Sequence, residues 1–168
     1  LLHYLNSNSD IKLTAVHINH GISDQSKNWE KHCSDFCKQN KINIICKSIK
    51  IETNKSIESE ARRLRIEIFK NIVPTSAHLV LAHHLDDRVE TLLYRLFRGT
   101  GIKGLSTFSD QTKLGTLNII RPFIKIEKSE ILNYLNEHNL AYVEDDTNSD
   151  NLYDRNFIRN EIIPMITS

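Results

Sequence analysis

The sequence predicts an α/β chain in which a parallel sheet is flanked by helices. Three observations carry this reading. Short apolar runs alternate with segments of helical period, the runs have strand length, and polar clusters stand where they end. The opening "LLHYLNSNSD" reads as the last turns of an amphipathic helix. A strand follows at residues 13–19, then a polar helix at 29–39 and a strand at 42–51. Next come a helix over 56–73 with Ser56 as its N-cap, the buried strand "HLVLA" at 78–82, and a helix over 87–98 closed by Gly99. The stretch "LGTLNIIRPF" predicts a strand or hairpin, residues 128–138 a helix, and the chain after Tyr153 a last helix.

A length of 168 residues suits one catalytic-size domain over 1–168, with little room for a second. Lys and Arg total 22 against 21 for Asp and Glu, so no global field draws in nucleic acid or membrane. Contact with a polyanion then needs local arginine clusters. Cys33, Cys37 and Cys46 are odd in number and lack CxxC spacing, which fits reduced thiols in the cytoplasm. No apolar run approaches the ~20 residues that span a bilayer, so no membrane partner is expected. The uncapped start at Leu1, and a lone methionine at Met165, predict that sequence is missing upstream; more chain after Ser168 is left open.

The chemistry concentrates in "LVLAHHLDDRVETLLYRLFRGTG". In open parallel sheets ligands bind beyond the carboxyl ends of strands, where both "HINHG" and "AHHLDD" fall. Three readings of the second cluster compete. Asp87 and Glu90 match a capping box, with Val89, Leu92, Leu93, Leu96 and Phe97 as the core face of the helix. That leaves His83, His84 and Asp86 unexplained, since ionisable groups crowded at one turn are costly to bury. A metal reading suits magnesium carried mainly by phosphates better than zinc, because no HExxH or CxxC partner occurs. In the third reading, Asp87 and Glu90 lie one turn apart and grip an ammonium group. Capping and ligand binding call on the same oxygens.

The motifs "HINHG", "ESEARRLR", "AHHLDDRVETLLYRLFRGTGIKGL", "IIRPF" and "VEDDTNSDNLYDRNFIRNEIIP" run in an order that resembles the catalytic domain of tRNA(Ile)-lysidine synthetases over nearly the whole chain. The resemblance implies a Rossmann-like fold of the PP-loop ATP pyrophosphatase type, with the first strand and the Ser-Gly-Gly-x-Asp-Ser loop lying upstream of Leu1. It implies ATP and Mg2+ as cofactors, with L-lysine and the isoleucine tRNA bearing a CAU anticodon as partners. A homodimer is among the expected assemblies. The implied reaction adenylates the wobble cytidine, after which the lysine amine displaces AMP to form lysidine. A fragment lacking the phosphate loop is expected to be inactive alone.

The resemblance assigns catalysis to His84, Asp86, Asp87 and Glu90. It assigns substrate binding to Asp87, Glu90, Arg62, Arg98, Arg155 and Arg159, nucleotide contacts to His17, Asn19, His20, Gly99 and Gly101, and magnesium to Asp86. Lysine reaches the site as an ammonium of pKa ~10.4 and must lose a proton before it attacks, a task that Asp87 and Glu90 suit. Arg88 departs from the family glutamine; it either pairs with Asp86 and Asp87 or meets RNA or solvent. Residue by residue the plainer readings stay open: Arg62, Arg63 and Arg65 as a solvated face, Arg95 and Arg98 as cations at a helix C-terminus, His17 and His20 as strand-end packing, and Asn156 as a cap. A metal-dependent phosphohydrolase and a catalytically silent binding module are the alternative functions. Thiolation through the cysteines is a weaker variant within the group.

Overall fold

The computed structural model describes residues 1–21, 23–50, 57–105, 109–144 and 154–167. The chain forms two compact units, Leu1–Pro74 and Thr75–Ser168. In the first, α1 (Leu2–Asn8) precedes β1 (Thr14–Asn19), α2 (Ser26–Gln39), β2 (Asn43–Ser48) and α3 (Ile57–Ile72). Strands β1 and β2 pair in parallel from Thr14 opposite Asn43 to Asn19 opposite Ser48, and α2 is the crossover that packs on both. Cys37, Ile42 and Phe69 are among the buried apolar residues here. The expected strand over 42–51 ends at Ser48; Ile51 and the N-cap candidate Ser56 lie outside the described residues.

The second unit is built on β5 (Leu117–Ile120), which lies between β3 (His78–Val80) and β4 (Gln111–Leu114). The β3–β5 pair is parallel and the β4–β5 pair antiparallel, so "LGTLNIIRPF" resolves into a hairpin. Leu114 faces Leu117 across a two-residue loop in which Gly115 takes φ 61°, the backbone twist such a tight connection needs. Leu117 and Ile119 point into the core by strand alternation, while every residue of β4 is exposed. The described strands thus form two separate hydrogen-bonded sheets, and the second is mixed.

Helix α4 (Leu85–Phe97) is followed by the short α5 (Ile102–Leu105), then α6 (Lys128–Glu137). The last helix runs from α7 (Asp154–Phe157) through a π-helical stretch, Ile158–Ile162, into α8 (Ile163–Thr167). Pro164 accounts for the widening: it has no N–H to offer the Asn160 carbonyl, and its ring crowds that oxygen. Asn156 lies inside α7 and is not its cap.

Three helices stop by one device. After α4, Gly99 N–H donates to the Leu96 carbonyl and Thr100 N–H to that of Arg95, with Gly99 at φ 69°. This is a Schellman motif, and it bears out Gly99 as the closing residue. Asn139 (φ 51°) ends α6 and Lys41 (φ 56°) ends α2 with the same pair of bonds, so the motif tolerates a side chain at some cost. A Cβ at Gly99 would meet nothing within 4 Å, which isolates the backbone term. Gly99→Ala should therefore lower stability by roughly 1 kcal/mol, whereas Gly101→Ala, equally uncrowded and without positive φ, should leave chemical denaturation midpoints close to wild type.

Candidate functional site

The acidic cluster forms where α4 begins, two residues earlier than the sequence suggested. His84, extended at φ −118°, is the N-cap; Asp87 is the third helical residue, and its Oδ2 accepts the His84 backbone N–H at 2.9 Å. Asp87 therefore caps from inside the helix, and Glu90 takes no part, which corrects the expected Asp87–Glu90 capping box. The correction has a simple cause. A carboxylate on the first turn reaches back to an unpaired amide and meets the positive end of the helix dipole.

Asp86 serves a different helix. Its Oδ2 accepts the backbone N–H of Lys128, the first residue of α6, at 3.0 Å, while Leu85 N–H donates to the Ile126 carbonyl at 2.9 Å. The adjacent aspartates thus cap two helix starts at once. The His84 ring lies against both, with Nδ1 at 3.3 Å from Asp86 Oδ2 and Nε2 at 3.5 Å from Asp87 Oδ2. Burial alone would raise the Asp86 pKa. The amide hydrogen bonds, from Lys128 first, and the neighbouring His84 outweigh it and hold the carboxyl below its usual range.

Glu90 is 2% exposed and its neighbour Thr91 is also buried. Its partner comes from 69 residues further along the chain: Arg159 Nε donates to Oε1 at 2.6 Å and Nη2 to Oε2 at 2.9 Å. This two-pronged, charge-assisted pair gives both oxygens of a buried carboxylate a partner. Burying Glu90 and Thr91 turns the expected core face outward in part. Leu92, Leu96 and Phe97 are exposed, while Val89 and Leu93 are half-buried. Glu90 gained burial on this helix because it found a partner there, which an apolar period cannot register.

One turn beyond Glu90, Tyr94 receives two arginines. Arg98 Nη1 donates to its hydroxyl at 2.6 Å and the Arg98 guanidinium lies 5.4 Å from the ring centre, with that of Arg155 at 5.9 Å. Arg88 is exposed and enters none of the ion pairs formed among the described residues, so the expectation that it masks Asp86 and Asp87 is not met; the cation at the cluster is Arg159. Arg121, left without a role by its sequence context, is 8% exposed and ties the β4–β5 hairpin through Nη1 to Thr112 Oγ1 at 3.0 Å. Gly101 stands in open space, and the "DDTN" motif lies outside the described residues.

The first unit holds the other expected contacts. At the carboxyl end of β1, Asn19 is 9% exposed; its Nδ2 donates to Glu30 Oε2 at 2.9 Å and its Oδ1 accepts the Gly21 N–H at 2.9 Å. That fixes the turn in which Gly21 takes φ 64°. His17 is half-buried beside it, and His20 Nδ1 is buried without a hydrogen-bond partner. Arg62, Arg63 and Arg65 lie on the exposed face of α3; Arg63 forks onto Glu60 and reaches Glu67 at 3.1 Å. Burial, aided by the neighbouring thiols, pushes the Cys33 and Cys37 pKa values up, the opposite of an activated nucleophile.

A parallel β3–β5 pair, a helix start loaded with carboxylates and arginines gathered on Tyr94 thus occur together on an α/β scaffold. Residues 1–166 match the family model of the PP-loop domain, and the chain belongs to that family. It is 39% identical over 168 residues to a tRNA(Ile)-lysidine synthase of Legionella pneumophila (strain Lens), covering 99% of this chain and 39% of that protein. It is also 39% identical over 154 residues to one of Haemophilus influenzae (strain ATCC 51907 / DSM 11121 / KW20 / Rd), covering 92% and 36%. The chain thus spans well under half the length of these relatives. Among solved structures, the U34-tRNA thiolase NcsA from Methanococcus maripaludis, determined with its 4Fe-4S cluster, superposes with a TM-score of 0.68 at 18% identity, over 95% of this chain and 59% of that one. This confirms the expected fold class.

The isolated His20 gives a pH prediction. Burial first, then the charges of Arg65 and His17, lowers its pKa below the ordinary 6.5. The unfolded chain then binds the proton more readily, so this contribution is complete above about pH 6.5 and is lost as pH falls toward the folded value. His20→Gln should flatten the wild-type fall in melting temperature between about pH 7 and pH 5; an unaltered profile would assign that fall to other groups.

Proposed function

We propose that this chain is the ATP-using portion of an enzyme that attaches lysine to the wobble cytidine of an isoleucine tRNA with a CAU anticodon, through an adenylated cytidine. The observation that carries the proposal is the carboxylate cluster at the start of α4, in a PP-loop chain whose relatives are named tRNA(Ile)-lysidine synthase. Asp86 and Asp87 have side chains 46% and 26% exposed, whereas that of Glu90 is 3% exposed. An arriving ammonium therefore meets the two aspartates first, with Glu90 behind them.

Asp87 is the residue proposed to hold that amine and accept its proton. Its Oδ2 is engaged with His84, and Oδ1 takes no hydrogen bond among the described residues. His84 orients both aspartates. A deprotonated amine is then the nucleophile toward the activated base carbon. His17, Asn19 and His20 at the end of β1, and Gly99 and Gly101 after α4, are the proposed nucleotide contacts. Arg62, Arg98 and Arg155 are proposed for phosphates and RNA. Among the described residues no group of three or more His, Cys, Asp and Glu is arranged to hold a metal ion. Asp86 would be the protein ligand of a magnesium ion carried mainly by ATP phosphates, an ion that would supply charge compensation for the departing pyrophosphate. No described helix is long and apolar enough to cross a membrane. The placement we propose is cytoplasmic. A homodimer remains part of the proposal.

In the full-length protein, Asp87→Asn should raise the apparent lysine constant about 10-fold to 150-fold, the loss of one charge-assisted contact worth roughly 1.5–3 kcal/mol, and leave the ATP constant unchanged. Steady-state pyrophosphate release with tRNA, lysine and magnesium measures both. A lowered melting temperature with an unchanged lysine constant would reduce Asp87 to its capping role. Tight stoichiometric transition metal in the purified protein would favour the phosphohydrolase alternative, and no turnover with any substrate the silent binding module.

Arg98 offers a separate check. Arg98→Gln should make the dependence of log tRNA affinity on log salt shallower by about 0.7–0.9, the share of one phosphate contact. An unchanged slope would leave Arg98 as a partner of Tyr94 alone.

A further inference from the structure

The Glu90–Arg159 pair is one rung of a two-rung ladder. Glu90 and Tyr94 lie four residues apart on α4, and Arg155 and Arg159 lie four apart on the last helix. Arg159 forks onto Glu90, and Arg155 stacks over Tyr94. Ile158, beside Arg159, is 4% exposed and anchors the same helix. The rung with Arg159 falls within the π-helical stretch that Pro164 imposes, a distortion found often at functional sites. Nothing in the capping of α4 or α6 requires this pair.

We infer that Arg159 is a positioning residue for amine binding: it pairs with Glu90 and fixes it behind Asp87, so that the docked last helix sets the charge of the amine site. This rests on the lysine reading proposed above. The guanidinium uses one lone pair on each Glu90 oxygen and leaves each a second. The charged and titratable groups around Glu90 are Asp87, Asp86 and His84 from the start of α4, with Arg159, and Arg155 a turn away, from the last helix. Arg159 is the cation joined to Glu90 by ion pair. With that charge removed, a carboxylate as buried as Glu90 takes up a proton, and the amine loses one of its two opposing charges.

The test is the lysine and ATP constants of the full-length protein from pH 7 to pH 9, for wild type, Arg159→Gln, Arg159→Lys, Glu90→Gln and the double Gln variant. At pH 7, Arg159→Gln is expected to raise the lysine constant about 10-fold or more, and the constant should return toward wild type as pH rises and Glu90 ionises again. Glu90→Gln should show the rise without the recovery, and the double variant should match Glu90→Gln. Arg159→Lys, with the charge but not the fork, should fall between wild type and Arg159→Gln. A merely structural strut would instead raise the ATP and lysine constants together, without recovery at high pH, and would overturn the inference. So would independent, multiplying effects of the two single variants. If wild type itself does not use lysine, the functional reading fails in that arm and the inference falls with it, a result distinct from failure in the variants alone.

Discussion

Three carboxylates within five residues, Asp86, Asp87 and Glu90, have to be held close together without unfolding the helix that carries them. The rest of the second unit answers that constraint. Each carboxylate has a different source of positive potential: the start of α6 for Asp86, the start of α4 for Asp87, and a guanidinium for Glu90. Two of the three use backbone amides, which need no extra side chain and do not titrate. Only the most deeply buried group needs a full opposite charge, as expected if desolvation grows faster than a helix dipole can compensate.

This division of labour reconciles the competing readings of the acidic stretch. Capping and ligand binding both draw on carboxylate oxygens. A carboxylate has two, and Asp87 spends one on its helix. The helix therefore holds the side chain still for whatever the other oxygen meets. Preorganisation of this kind removes the entropy cost of ordering a flexible acid at the moment of binding.

Much of the architecture was legible in the sequence. Strand β1, both long helices of the first unit and Gly99 as a terminator follow from apolar period and one glycine. The hairpin was legible as an alternative, and Gly115 decided it. What failed did so for physical reasons. The start of α4 is hidden because the strongest capping residue, Asp87, does not stand at the N-cap but reaches back from the third position. The core face was drawn through Leu92, Leu96 and Phe97 because local spacing cannot see Arg159, 69 residues away, whose charge makes Glu90 a buried residue. Arg121 went unassigned for a related reason: its partners lie across a hairpin of unknown register. The π-helical stretch had a local clue in Pro164, which is easily taken as a simple end signal.

The ladder between α4 and the last helix also constrains how this chain can change length. Its two rungs share a spacing of four residues on both sides, so one alignment of the two helices serves both. Deleting one residue between Tyr94 and Glu90, or between Arg155 and Arg159, turns the two rung residues of that helix about 100° relative to each other in an α-helix, so that both contacts can no longer be made together. Substitutions at Tyr94 or Arg155 remove a single rung. Inherited variation along these two segments should therefore be rich in replacements and poor in insertions or deletions, with length differences confined to the connections between elements.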